Sequence, residues 1–435
     1  MKSTDKINVI TLGCSKNTVD SERLLNQLRV NNFNITGNAD KADTVIINTC
    51  GFIEAAKEES INTILNAVAL KKEGKLKKVI VAGCLSQRYK NELTREIPEV
   101  DNYFGTEDYE NILKELGGEL KYNLLGERLL SSPSHTAYLK ISEGCDHPCS
   151  FCAIPLMRGK HVSKPIGDLV KETEFLAAAG TKELIIIAQD STDYGKDLSP
   201  QKNISYLVNK LSEVNGIEWI RIMYAYPSKF PDDLIDVIAN NPKVCKYIDI
   251  PLQHISDDVL RSMRRGVTAK RTKELINKLR EKIPDIAIRT TFIVGYPNET
   301  EKDFGELCGF VEETKFDRVG TFTFSVEENT TSFILGDPLS ENEKLERKNT
   351  LMEIQKEISL AKNKSFLGKK LDTIIDGIEG SFYVGRSYRD APEVDGEILI
   401  PLNGFSINPG DFCKVEINDY NEYDLYGKVI HRGRS

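Results

Sequence analysis

Three of the chain's nine cysteines fall within eight residues, in the stretch GCDHPCSFC (144–152). Cys145, Cys149 and Cys152 are separated by three and then by two residues. Thiolates crowded in this way bind zinc or an iron–sulfur cluster. A closed zinc site takes four ligands, usually as two separated pairs. His147, inside the loop, is available as a fourth. A 4Fe–4S cluster held by three cysteines instead leaves one iron without a protein ligand, free to chelate a small molecule.

A second set is scattered. Cys14, Cys50 and Cys84 each end an apolar run: INVITLGC (7–14), TVIINTC (44–50) and KKVIVAGC (77–84). Helical patterns follow these runs, the first being VDSERLLNQLRV. Strands alternating with helices imply a parallel sheet with crossover helices. The strand C-termini then share one edge, where ligands bind. Three thiols distant in sequence would meet there as a second three-cysteine cluster. Buried structural thiols are the alternative, because free cysteine is often buried. Cys245, Cys308 and Cys413 are isolated, in or near apolar runs, and read as structural.

The elements that must position these residues form an α/β chain in three parts. After the N-terminal parallel-sheet domain, residues 117–135 carry Gly, Ser and Pro with weak periodicity and read as a loose linker. Six further strands follow, at 137–144, 183–190, 219–227, 247–254, 287–297 and 318–324. Helical patterns lie between them, for instance at 166–179 and 268–283. Six such units suggest a partial (βα)6 barrel, open on one side, with its chemistry at the strand C-terminal ends. A charged helix, roughly 341–364, leads out. From about Leu371 short apolar runs broken by Gly, Pro, Asn and Asp read as a small β-barrel.

Strand ends nominate further residues. Gln189 and Asp190 end the second barrel strand, where a polar pair suits the amino-acid or ribose part of a cofactor. Asp190 is followed by Ser and Thr, so a helix cap is the alternative. His254 ends the fourth strand, beside Pro251 and Gln253, and Arg289 lies within the fifth. Gly295 and Pro297 shape the turn after it. No glycine-rich stretch has the setting of a phosphate loop.

Composition sets outer limits. The 435 residues suit two or three domains, and 40% hydrophobic with 29% charged residues is ordinary for a globular protein. No run approaches a membrane span, and the N-terminus shows no signal-peptide pattern, so a cytoplasmic location without a membrane partner is expected. Nine cysteines in such a setting favour metal or redox chemistry over disulfides. The net charge is −8, and residues 371–435 hold 12 acidic against six basic residues. An RNA-binding barrel should be basic. An acidic one better suits a basic protein partner, or is simply a solvated face.

The Cys-x3-Cys-x2-Cys loop after the first strand of a partial βα barrel is similar to that of the radical S-adenosylmethionine (SAM) enzymes. In that family the open iron binds the amino and carboxylate groups of SAM, and reductive cleavage yields a 5′-deoxyadenosyl radical. Phe151 stands where the family places an aromatic residue close to the cofactor; ordinary loop packing is the alternative. The contexts TLGCSKN, NTCGFI and AGCLSQR resemble the N-terminal domain of the methylthiotransferases, a subfamily with an N-terminal cluster domain, a radical core and a C-terminal TRAM barrel. The resemblance covers essentially the whole chain.

It implies an N-terminal domain over 5–120, a radical SAM core over 131–365 and a TRAM barrel over 368–434. It implies two 4Fe–4S clusters, on Cys14, Cys50 and Cys84 and on Cys145, Cys149 and Cys152. SAM serves as methyl donor and as radical source, with Phe151, Gln189, Asp190, His254 and Arg289 as candidate contacts, and a low-potential electron donor is needed. Methylthiotransferases act on tRNA adenosine or on a ribosomal-protein aspartate. EGCDHPCSFCAIPLMRGKHVSKP and FYVGRSYRDAPEVDGEILIP look like those of the ribosomal-protein enzymes. The expected substrate is therefore the β-carbon of an aspartate in small-subunit ribosomal protein twelve, within the ribosome or an assembly intermediate. A tRNA-modifying relative and a non-catalytic iron–sulfur carrier or scaffold remain the alternatives.

Overall fold

Apolar alternation along the strands settles which side of each sheet is covered. In the computed structural model, which describes residues 5–131, 133–199, 201–402 and 406–433, the first sheet has five strands. They are β1 (Lys6–Thr11), β2 (Asn34–Ile35), β3 (Thr44–Thr49), β4 (Lys78–Gly83) and β5 (Asn102–Tyr103), in the order β2-β1-β3-β4-β5, all parallel. Val45, Ile47, Val79 and Val81 point to one apolar layer and Ile46 and Ile80 to the other. Both faces are thus buried, as parallel sheets require. The two-residue strands β2 and β5 carry no periodicity long enough to be read from the sequence.

The second domain begins with β6 (Thr136–Lys140) and a small antiparallel pair, β7 (Ser142–Glu143) and β8 (Val162–Ser163). Then come β9 (Glu183–Ile187), β10 (Trp219–Ile222), β11 (Val244–Asp249), β12 (Ala287–Val294) and β13 (Arg318–Thr323). The six long strands run in the order β13-β12-β11-β10-β9-β6, parallel throughout and open between β6 and β13. Each neighbour follows in sequence through a crossover, as the expected half-barrel demands. Leu184, Ile186 and Ile248 face the helices. Ile185, Ile187, Trp219, Cys245, Tyr247 and Ala287 face the concave side.

That concave side is filled by the other two domains. Val19, from helix Ser15–Val30, packs there together with Ile374, Ala391 and Phe412. The last three belong to a closed barrel of β14 (Lys370–Glu379), β15 (Phe382–Ser387), β16 (Ile398–Pro401), β17 (Phe412–Tyr420) and β18 (Leu425–Arg432), in the order β14-β15-β16-β18-β17. The expected helix out of the core is present as Glu341–Lys364, opened by a Ser340–Glu343 capping box. Among the described residues no helix is long and apolar enough to cross a membrane. The expected domain end at 434, and Arg434 counted among the six bases, lie outside the described residues.

Two sequence readings are revised. Within that stretch residues 117–131 are not loose: Arg128 is fully buried, with ion pairs to Glu22 at 3.1 Å and Glu172 at 3.2 Å. Composition gave no sign of this, because its partners lie on two distant helices. Three of the barrel's twelve acids are also not free surface. Asp390 pairs with Arg318 at 2.6 Å, Asp376 with His135 at 2.9 Å and with Arg386, and Asp395 with Arg289 at 3.4 Å and Tyr247 at 2.8 Å. Asp376, Asp390 and Asp395 are spent inside the molecule, but so are the barrel's bases Arg386 and Arg389, and the barrel keeps most of its acidic excess.

One charge is left badly placed for stability. The Lys164 Nζ is buried without a hydrogen-bond partner, and burial pulls its pKa from the usual 10.5 to about 7, with Arg23 adding repulsion. The folded chain therefore binds fewer protons than the unfolded chain between about pH 7 and 10.5. Its penalty is then largest below pH 7 and fades as pH rises through that window. Lys164→Met should stabilise the fold by about 1–2 kcal/mol near pH 6.5, and by less at pH 9. Denaturant midpoints at the two pH values check this.

Candidate functional site

The first cysteine set forms at one sheet edge because β1, β3 and β4 are neighbours. Cys14 is the N-cap residue of helix Ser15–Val30, Cys50 follows β3, and Cys84 opens helix Cys84–Glu96. Gly13 sits at φ +90°, and a Cβ there would lie 2.7 Å from Cys50 Cβ and 3.0 Å from its Sγ. Only glycine lets the two segments approach this closely. Asn17 ties the edge together, donating to Leu12 O at 2.8 Å and Thr49 O at 3.1 Å, while its Oδ1 lies 3.8 Å from Cys84 Sγ. Burial raises the Cys50 thiol and pushes that of Cys84 to about 12, with the neighbouring cysteines adding to both shifts.

The second set is a closed excursion pinned at its base by β7 and β8. Gly144, at φ +71°, brings the chain so near Lys160 that a Cβ would sit 2.0 Å from that carbonyl oxygen. Cys145 N donates to Gly159 O at 3.1 Å, and Cys152 N to Cys149 O at 3.2 Å. Ser150 N donates to Met263 O at 3.0 Å, and its hydroxyl to Ser262 O at 2.9 Å. Burial raises the Cys145 thiol to about 11 and that of Cys152 to about 12.

A stack of side chains backs this loop. His147 lies flat on Tyr226, with ring centroids 3.7 Å apart and 8° between planes. The Arg265 guanidinium covers Tyr226 at 4.2 Å and donates to Cys149 Sγ at 3.2 Å. His147 Nε2 lies 2.6 Å from Asp190 Oδ2, and Asp190 Oδ1 accepts from Thr192 N at 2.8 Å. The imidazole is thus engaged by a carboxylate rather than turned to the sulfurs as a fourth ligand.

The two cysteine sets adjoin. Cys84 packs with Ala153, Ile154 and Met157, the residues directly after Cys152. Arg158 closes this segment. It donates to Asn17 Oδ1 at 2.6 Å and to Glu143 Oε1 at 2.9 Å, and it pairs with Asp20 at 3.0 Å. One buried guanidinium therefore touches residues that frame both sites.

The remaining sequence candidates are distributed differently. Gln189 donates to Glu143 Oε1 at 3.2 Å, and its own Oε1 is buried without a partner. Gln189 and Asp190 both thus border the cysteine loop. Phe151 packs into an apolar cluster with Val259, Met263, Tyr296 and Phe324. His254 is fully buried; its Nδ1 accepts from Ser256 N at 3.0 Å, and its Nε2 lies 3.4 Å from Glu299. Arg289 reaches Asp249 at 2.9 Å and Asp395, where the C-terminal barrel meets the concave sheet. Tyr226, Arg265 and Arg158 were not nominated from sequence. Tyr226 follows a strand end and was open to notice, whereas Arg265 sits in a turn and Arg158 on a five-residue helix with no pattern to single them out.

These groups fit iron–sulfur clusters. A tetrahedral zinc site brings sulfurs to about 3.8 Å of one another. Among the described residues, neither cysteine set has three ligand atoms all within 4.8 Å of one another, the span a single ion would need.

Three family models match the chain. They are uncharacterized protein family UPF0004 over residues 6–105, the radical SAM superfamily over 139–311 and the TRAM domain over 367–430. The ribosomal protein uS12 methylthiotransferase RimO of Cytophaga hutchinsonii is 52% identical over 427 residues, 98% of each chain. Its counterpart from Flavobacterium johnsoniae is also 52% identical, over 98% of each. Among solved structures, the radical SAM methyltransferase TsrM from Kitasatospora setae has a TM-score of 0.57 at 13% identity. The match covers 76% of this chain and 75% of that one, and it speaks for the fold alone. With relatives this similar over nearly its whole length, the chain belongs to the RimO family of radical SAM methylthiotransferases.

Proposed function

We propose that the chain adds a methylthio group to the β-carbon of an aspartate in ribosomal protein uS12, the protein for which its relatives are named. The observation that carries this is the adjacency of two three-cysteine sites, joined by residues 153–158. When bound, a cluster on Cys145, Cys149 and Cys152 would supply a hydrogen-abstracting radical from SAM, and a second on Cys14, Cys50 and Cys84 would hold the sulfur that is transferred.

The chain's own residues do the positioning. Cys145, Cys149 and Cys152 hold the first cluster, and the Asp190–His147–Tyr226–Arg265 stack fixes the loop that carries them. Gln189, with an unpaired Oε1 beside this loop, is the best-placed polar contact for SAM, and Phe151 supports the loop from its apolar side. Arg158 holds the two sites in register. The reaction needs a low-potential electron donor, and its substrate places it in the cytoplasm, on the ribosome or an assembly intermediate.

Anaerobic reconstitution should load about eight irons per chain, and about four when Cys14, Cys50 and Cys84 are all replaced by Ala. Cys149→Ala should abolish 5′-deoxyadenosine formation. Cys50→Ala should keep that product but lose the methylthio mass on uS12; full methylthiolation by this variant would remove the second site's role. If a methylthio mass appeared on tRNA adenosine with uS12 unchanged, the substrate reading would fail. Arg265→Leu should lower the cluster's midpoint potential in an EPR redox titration at unchanged iron content, because a hydrogen bond to a ligating sulfur raises it.

A further inference from the structure

Lys16 is a buried cation without an anion. It lies two residues after Cys14 and is only 8% exposed. Among the described residues no carboxylate or carbonyl oxygen pairs with its ammonium, whose one recorded partner is the ring of Tyr224, 3.2 Å below. Its backbone position makes this worse. Lys16 stands in the first turn of helix Ser15–Val30, which holds no acidic residue. That end of a helix carries partial positive charge and favours anions. An unpaired ammonium at the positive end of a 16-residue helix is unfavourably placed until an anion joins it. Other buried cations along this seam are partnered, Lys164 excepted: Arg23 by Glu172, Lys140 by Asp20, Glu107 and Glu143, and Arg158 by Asp20 and Glu143.

The surroundings say where such an anion would sit. Tyr224 follows β10 at the strand C-terminal edge, with φ +60°, and its backbone N–H is held by Asp249 at 3.1 Å. Two residues on, Tyr226 carries the stack behind Cys149. Lys16, two residues after Cys14, thus reaches Tyr224, two residues before the stack that backs Cys149.

We propose that Lys16, seated on Tyr224, binds the side-chain carboxylate of the substrate aspartate. This rests on the function proposed above and names the group that recognises its target residue. The β-carbon that reacts is bonded to that carboxylate. Holding the carboxylate at Lys16 fixes the β-carbon beside the sulfur-bearing site while the radical site lies across from it. A cation–π seat leaves ammonium protons free to donate, and a charge-assisted hydrogen bond discriminates a carboxylate from a neutral amide.

The test is a two-by-two comparison on the anaerobically reconstituted full chain. Wild type and Lys16→Ala are each titrated with uS12 carrying the target Asp or with uS12 in which that Asp is Asn. Wild type should bind the Asp form about tenfold or more tightly than the Asn form. Lys16→Ala should bind both alike, at the wild-type Asn level, and Lys16→Arg should recover part of the preference. An unchanged Asp-over-Asn preference in Lys16→Ala overturns the proposal. So does loss of iron or of SAM binding with that preference intact, which would assign the ammonium to the cluster or the cofactor. A wild type that methylthiolates neither form of uS12 strikes the functional reading itself, and is thereby told apart.

Discussion

Arg158 is the joint on which the two sites depend. Its guanidinium reaches Asn17, which braces the strand ends bearing Cys14, Cys50 and Cys84. It also reaches Glu143, next to the loop bearing Cys145, Cys149 and Cys152. Asp20 completes the set, and Lys140 lies beside Asp20 and Glu143. Burial alone would push the Asp20 carboxyl up, yet Lys140 and Arg158 hold it well below the usual carboxylate range. A seam of this kind adds little net stability, because desolvation offsets the attraction. Removing one member is another matter, at about 3–5 kcal/mol for the charge left uncompensated. Its worth is therefore geometric: charges so matched permit one arrangement of the N-terminal domain on the core.

The same logic holds at the opposite end of the half-barrel. An open six-stranded sheet leaves a concave face that water would otherwise fill. The C-terminal barrel occupies its lower part through Ile374, Ala391 and Phe412, and through ion pairs in which Arg386 meets Glu183 at 2.7 Å and Arg318 meets Asp390. Arg221, fully buried on that face, pairs with Glu183 at 2.8 Å and donates to Tyr388 O at 2.7 Å. The barrel thus works first as a plug. Whatever it offers a partner must come from the residues that this packing leaves outside.

What the sequence made legible follows from how local each signal is. The cysteines, the strands that end in them and the helix Glu341–Lys364 are written in short windows of residue type and period. The half-barrel followed from alternation alone. Arg265 and Arg158 could not be read in the same way, because their meaning lies in partners 116 and 141 positions away. The barrel's acid count is incomplete for the same reason: composition counts charges and not their partners. Arg289, nominated as a strand residue, belongs to that concealed layer, with Asp249 and Asp395 for neighbours.

Closure at the bottom and at the sides decides where a protein substrate can enter. Radical chemistry needs water excluded around the reacting carbon, while a substrate as large as a folded protein cannot be swallowed whole. The concave face is sealed below by the barrel and flanked by Val19 of the N-terminal domain. The strand C-terminal edge remains, where both cysteine sites, Tyr224 and Tyr226 all lie. Only a protruding loop of the substrate can reach into that edge, so recognition must be concentrated on one side chain. The unpaired Lys16 ammonium at that edge is the kind of feature such concentrated recognition requires.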